Sequence, residues 1–263
     1  MMKRFLQIAN LLVLLCTIWV NYYINSGSTG VSMKAISDQY LNLFTPAGYA
    51  FSIWGIIYLM LLGFSVYQLS DWFNKKVDTD FVLDVSGWFI LANLANAAWV
   101  VAFTQGQVGL SVLIMLVLFA SLLKIVINLN MERSDPFFVY ILLVWWPVSA
   151  YFGWINVAMI ANISTWLTAL GWNGSPLTPT IWAILMLLIA GSIFISMVWK
   201  RNMREYASTG IWGIVAVGVK NLNSNDVVAY TAFIVAVLVL INVMAHGYKN
   251  RAMGPIRKWR PVQ

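Results

Sequence analysis

Three short stretches carry the residues best suited to chemistry, and that chemistry is non-covalent recognition. In "FSIWGIIY" Phe51, Trp54 and Tyr58 are spaced by three and four; in "NAAWVVAF" Asn96, Trp99 and Phe103 are spaced likewise. In "AYFGWINVAMIAN" Tyr151, Trp154, Ala158 and Asn162 are spaced by three, four and four. Residues three and four apart share a helix face, so each set is a stripe along one helix. Flat rings offer faces for stacking. The amides of Asn96 and Asn162, in apolar surroundings, need partners on another helix or on a bound molecule. The same residues also suit plain packing, and taken alone they favour it. If the stripes converge, they make an apolar pocket with a few polar groups, the usual make-up of a small-molecule site.

Other chemistries are poorly provided for. The acidic residues Asp38, Asp71, Asp78, Asp80, Asp84, Glu132, Asp135, Glu205 and Asp226 fall in loops or within a turn of an apolar run's end, as does the only histidine, His246. Ion-coupled carriers keep ionisable groups inside the membrane because those groups do the work. No His, Cys and carboxylate cluster offers a metal site. An enzyme is therefore the least favoured class, and no cofactor is required. The single cysteine, Cys16, excludes an intramolecular disulfide framework.

The elements that must hold these stripes are membrane spans. Of the 263 residues, 61% are hydrophobic and 10% charged, against about 25% charged in soluble domains. Crossing the hydrocarbon takes about 20 apolar residues. Runs near 5–25, 49–69, 83–103, 108–129, 137–167, 179–199, 207–222 and 227–247 qualify. The fifth is long and contains Pro147, which predicts a kink, and the seventh, "ASTGIWGIVAVGVKNL", is marginal and glycine-rich. The N-terminal run lacks a small-x-small cleavage site and reads as a retained first span.

With eight crossings, Lys3, Arg4, Lys75, Lys76, Lys124, Arg133, Lys200, Arg201, Arg204, Lys249, Arg251, Arg257, Lys258 and Arg260 share one side, and only Lys34 and Lys220 the other. That is 14 against 2; without the seventh crossing it becomes 10 against 6. Basic residues accumulate in the cytoplasm, so the expectation is an all-α, polytopic membrane helix bundle of about eight spans with both termini cytoplasmic. The net charge of +7 is then a topology signal, and nucleic acid is not an expected partner. Among the tryptophans, Trp19, Trp72, Trp172, Trp199 and Trp259 suit the membrane interfaces.

The striped spans resemble the TspO/MBR family, the tryptophan-rich sensory proteins related to the mitochondrial translocator protein. "PAGYAFSIWGIIY" is similar to that family's second-helix motif through Pro46, Gly48, Phe51, Trp54 and Tyr58, with Tyr49 in place of a tryptophan and one residue fewer before Trp54. Asn96, Trp99 and Phe103 resemble its third-helix motif. Tyr151, Trp154, Ala158 and Asn162 keep the spacing of its fifth, with Ala150 and Val157 where the family has proline and phenylalanine. The resemblance covers roughly residues 5–167 and implies a five-helix TspO-like membrane domain, 1–170. An additional three-helix segment with a basic tail, 171–263, follows it.

It also implies a ligand cavity near the loop between the first two spans, with the loop at 26–48 as a lid. Family ligands include tetrapyrroles such as protoporphyrin, along with sterols and synthetic aromatics. The ligand-binding residues expected here are Pro46, Phe51, Trp54, Tyr58, Asn96, Trp99, Tyr151, Trp154, Ala158 and Asn162. The leading expectation is a membrane receptor or binder of a flat hydrophobic ligand, with a transporter or sensor role open, in the lipid bilayer of a bacterial inner (plasma) membrane. The alternatives are an uncoupled small-molecule transporter and a ligand-free membrane scaffold. A homodimer is left open.

Overall fold

In hydrocarbon every backbone N–H and C=O must find a partner within the protein, and a helix supplies it locally. The computed structural model describes residues 1–26, 31–75, 77–134 and 136–251, and all regular structure in them is helical. Lys76, Asp135, Arg257, Lys258, Trp259 and Arg260, used in the charge and tryptophan readings, lie outside the described residues.

The helices are α1 (Met2–Asn25), α2 (Met33–Gln39), a 3₁₀ turn (Gly48–Ser52), α3 (Ile53–Tyr67), α4 (Ser70–Phe73), α5 (Phe81–Thr104) and α6 (Val108–Asn128). They continue with α7 (Phe138–Tyr140), a π turn (Ile141–Trp145), α8 (Trp146–Ala169), α9 (Pro179–Arg201), α10 (Arg204–Asn221) and α11 (Asp226–Lys249). Seven stretches are long and apolar enough to cross a membrane: 2–25, 48–73, 81–104, 108–128, 138–169, 179–201 and 226–249. The marginal seventh run folds as α10 but falls short of that measure. The π turn directly precedes Pro147; proline cannot donate the backbone bond that a regular helix places there.

The chain divides into two units, Met1–Met33 with Ile53–Phe152, and Lys34–Ser52 with the residues from Gly153 onward. In the first, α1 packs on α5 and α3, and α5 on α6. The buried face of α1 includes Gln7, Asn10, Leu14, Thr17, Asn21 and Ile24, a seam with alternating spacings of three and four, as in a coiled coil. Polar residues on it bond across to other helices. Asn10 Nδ2 donates to Gln68 Oε1 at 3.0 Å, Thr17 Oγ1 to the Asn93 carbonyl at 3.0 Å, and Asn21 Nδ2 to Asn96 Oδ1 at 3.1 Å. At the start of the seam Gln7 Nε2 donates to Asp71 Oδ1 at 2.8 Å and Trp72 Nε1 to Gln7 Oε1 at 2.6 Å. Lys3 bridges Asp71 and Asp80 at 3.0 and 2.8 Å.

In the second unit α10 packs against α9 and α11, and glycines set how closely. A Cβ on Gly210 would stand 2.3 Å from Phe194 Cζ, one on Gly213 2.6 Å from Val157 Cγ1, and one on Gly218 2.7 Å from Phe233 Cε1. The low hydropathy of α10 thus reflects small residues chosen for close approach. Helix α9 begins with Pro179 at its first position and Thr178 as cap, whose Oγ1 accepts from Ile181 N at 3.2 Å. The stretch "TPAGYAF" docks on α10. Ala47 N donates to the Ala216 carbonyl at 2.9 Å, Trp212 Nε1 to the Ala50 carbonyl at 3.1 Å, and the Tyr49 ring meets Trp212 edge-on at 5.2 Å.

Candidate functional site

Five of the ten sequence-predicted residues form one cluster in the first unit. Trp54 stacks on Tyr58 with ring centres 5.3 Å apart, lies 6.4 Å from Trp99 and meets Tyr151 edge-on at 5.8 Å. Phe103 stacks beneath Trp99 at 5.6 Å. Asn96 sits among them, fully buried. Its Oδ1 accepts from Tyr58 Oη at 3.3 Å and from Asn21, and its Nδ2 donates to Tyr151 Oη at 2.8 Å. Stripes on α3, α5 and α8 therefore do meet, ring against ring, with the amide engaged by the protein itself. Trp99 Nε1 is buried without a partner among the described residues.

The other five belong to the second unit. Trp154 and Asn162 are buried on α8 and Ala158 is half-buried between them, while in the docked 40–52 stretch Pro46 is buried and Phe51 half-buried.

The second unit also contains a cavity of about 480 Å³, lined by Leu41, Asn42, Leu43, Phe44, Ser164, Thr168, Trp172, Asn173, Gly174, Pro179, Trp182, Ala183, Lys220, Asn221 and Ser224. That volume lies within the range of small-molecule pockets, about 300–1,000 Å³. Four segments build its wall: the loop after α2, the end of α8 with the turn that follows, the first turn of α9, and the end of α10 with the turn into α11. Trp172 and Trp182 stand edge-to-face at 4.9 Å.

Most polar groups of the wall are used to hold its shape. Asn221 Nδ2 donates to the Leu43 carbonyl at 2.9 Å, Asn42 Oδ1 accepts from Phe44 N at 3.0 Å, and Trp172 Nε1 donates to the Ser175 carbonyl at 3.1 Å. Two are not. Trp182 Nε1 and Ser164 Oγ are buried without a hydrogen-bond partner among the described residues. The contrast along α8 is local: Thr165 and Thr168 donate back to carbonyls four residues earlier, the usual outlet for a helical hydroxyl, and Ser164 does not.

Lys220 is the one charged residue among those lining the cavity. Its Nζ lies 2.8 Å from Asp38 Oδ1, while Asp38 Oδ2 is 2.7 Å from Lys34 Nζ. The Lys220 and Lys34 ammonium groups beside Asp38 hold its carboxyl below the usual carboxylate range.

The cavity wall contains none of the ten sequence-predicted residues. One signal for it was present: Ser164 and Thr168 continue α8 at a spacing of four beyond the Asn162 stripe. Trp172 was read as an interface anchor, and Trp182 and Lys220 stand alone in apolar runs. From the stretch at 26–48, Leu41 to Phe44 form part of this wall.

A family model described as TSPO-like protein matches residues 7–245. The match extends beyond the first five spans, where the three sequence motifs lie, into α11. Neither the curated proteins nor the solved structures compared with the chain give a match.

Proposed function

We propose, from the premise that the chain belongs to the family of TSPO-like proteins, that it is a membrane receptor for a flat hydrophobic ligand, of which a porphyrin is one candidate. The observation that carries this reading is the cavity of the second unit: about 480 Å³, walled by Trp172, Trp182, Phe44, Leu41 and Leu43, with polar side chains such as Asn42, Thr168 and Lys220 among them. Rings of this kind favour a planar guest through offset or edge-to-face contact. In the topology with both termini cytoplasmic, the loops that build the cavity are extracytoplasmic, so the ligand is taken from that side of a bacterial inner membrane. The chain acts there as a sensor or carrier, and among the described residues that line the cavity only Lys220, in the last turn of α10, is charged.

A second reading puts the ligand at Trp54, Tyr58, Asn96, Trp99 and Tyr151, and the buried, unpartnered Trp99 Nε1 favours it. Two variants separate the readings. Titrating purified protein with protoporphyrin should quench tryptophan fluorescence saturably at micromolar ligand. Thr168→Phe, which fills the cavity, should abolish the saturable phase, and Trp99→Phe should leave it within about twofold. The reverse pattern moves the site to the aromatic cluster. No saturable binding by the unaltered protein would remove the function itself.

A further inference from the structure

We infer that the ligand of the cavity in the second unit carries an acid group, a carboxylate or phosphate on an apolar body, and that Lys220 reads it. The inference rests on the receptor reading above and adds the polar half of the ligand.

Three observations point the same way. The first is the sign of the wall. Lys220 supplies its only charge, and no carboxylate is among the residues that line it. The second is the polar inventory. Two wall residues each hold a buried atom without a partner among the described residues: Trp182 Nε1 can only donate, and Ser164 Oγ can donate. A guest that satisfies both presents acceptor oxygens. Neither is the third observation, the ion pair, a dead end for such a guest.

Asp38 is shared by two lysines, at 2.7 and 2.8 Å. If Lys220 swings its ammonium to an incoming acid, Asp38 keeps Lys34, and no charge is stranded. With a single partner the exchange would leave Asp38 without a counter-charge, whereas here the second lysine remains. Lys220 is also about one-third exposed, so its head can move without leaving water. The first turn of α9, with Pro179 and Trp182 in the wall, adds the partial positive charge of a helix start. A neutral flat molecule would use the rings and leave all of this idle.

The test compares one ring system with and without its acid groups: protoporphyrin and its dimethyl ester, titrated into the full-length protein in phosphatidylcholine nanodiscs. The acid should bind about tenfold or more tightly than the ester, the worth of one hydrogen bond to a charged group. Lys220→Met should erase that preference by weakening the acid alone, and Lys220→Arg should retain most of it. Equal affinity of acid and ester for the unaltered protein overturns the inference while leaving the receptor reading intact. Binding of neither probe overturns the receptor reading itself. Repeating the titration in nanodiscs with phosphatidylglycerol distinguishes the source of the acid group. A Lys220-dependent competition by that lipid assigns the site to a lipid headgroup, and undiminished binding assigns it to a free amphipathic acid. Either supports the shared chemistry.

Discussion

The two units use the same ingredients to opposite ends. In the first, Trp54, Tyr58, Trp99 and Tyr151 close around Asn96, whose oxygen and nitrogen are both bonded to protein groups. In the second, Trp172, Trp182 and Phe44 stand around open volume, with two wall donors unpartnered and a lysine held by an ion pair that can be exchanged. Aromatic residues with an amide in a membrane helix do not by themselves indicate a ligand. The distinction lies in whether the polar groups bond one another and whether space remains. On that criterion the first unit fits a scaffold, and the second fits the receptor site proposed above.

The sharpest break of the second unit is Gly153→Ala. A Cβ there would stand 2.3 Å from the Tyr206 carbonyl oxygen, and backbone cannot turn aside as a side-chain tip can. We expect a loss of about 3 kcal/mol, read as a lower thermal midpoint in detergent. Next, Asn96→Ala should cost about 2–3 kcal/mol by stranding the Tyr151 hydroxyl and its neighbours. Porphyrin affinity of the protein that remains folded should stay within about twofold. Lost affinity with an unchanged midpoint would reverse the assignment of scaffold and receptor.

Ser164→Ala should behave oppositely. Removing a buried hydroxyl that has no partner raises stability by up to about 1 kcal/mol, while binding of the acid probe weakens. The smallest effect concerns Asp38. Its folded carboxyl titrates below its ordinary value because Lys220 and Lys34 flank it, so the folded state binds that proton less readily than the unfolded chain. The stabilisation is present above the unfolded value of about 4 and is lost as pH falls through the lower folded value. For a pair this exposed it is worth no more than about 1 kcal/mol. Asp38→Asn should remove that part of the acid dependence in pH-resolved melting curves.

Much of this architecture was written in local pattern. The apolar runs near 83–103, 108–129 and 179–199 became Phe81–Thr104, Val108–Asn128 and Pro179–Arg201, because crossing length and helix caps are properties of short sequence windows. The contacts among Trp54, Asn96, Trp99 and Tyr151 were foreshadowed by their stripes for the same reason. The cavity was not. Its wall takes residues from near 41, 164, 182 and 220, and nothing in helical spacing says that Leu41 and Trp182 will share a surface. Whether Asn96 saturates itself or waits for a guest depends on Asn21 and Tyr151 arriving at hydrogen-bond distance. That is a tertiary fact. The glycines of α10 illustrate the reverse case: they made the segment look weak as a span, when Gly210, Gly213 and Gly218 record how near Phe194, Val157 and Phe233 come.

The seam of α1 has a consequence for how the protein is made. Thr17 and Asn93 are 76 residues apart, and Asn21 and Asn96 are 75 apart, so α1 leaves the ribosome well before α5 exists. Until then Thr17 and Asn21 lack the partners on α5 that will receive them, while Gln7 and Asn10 need only the earlier stretch around Gln68 and Asp71. The first helix thus carries polar groups into the bilayer before α5 is there to receive them. Assembly order in this chain is written on one face of one helix.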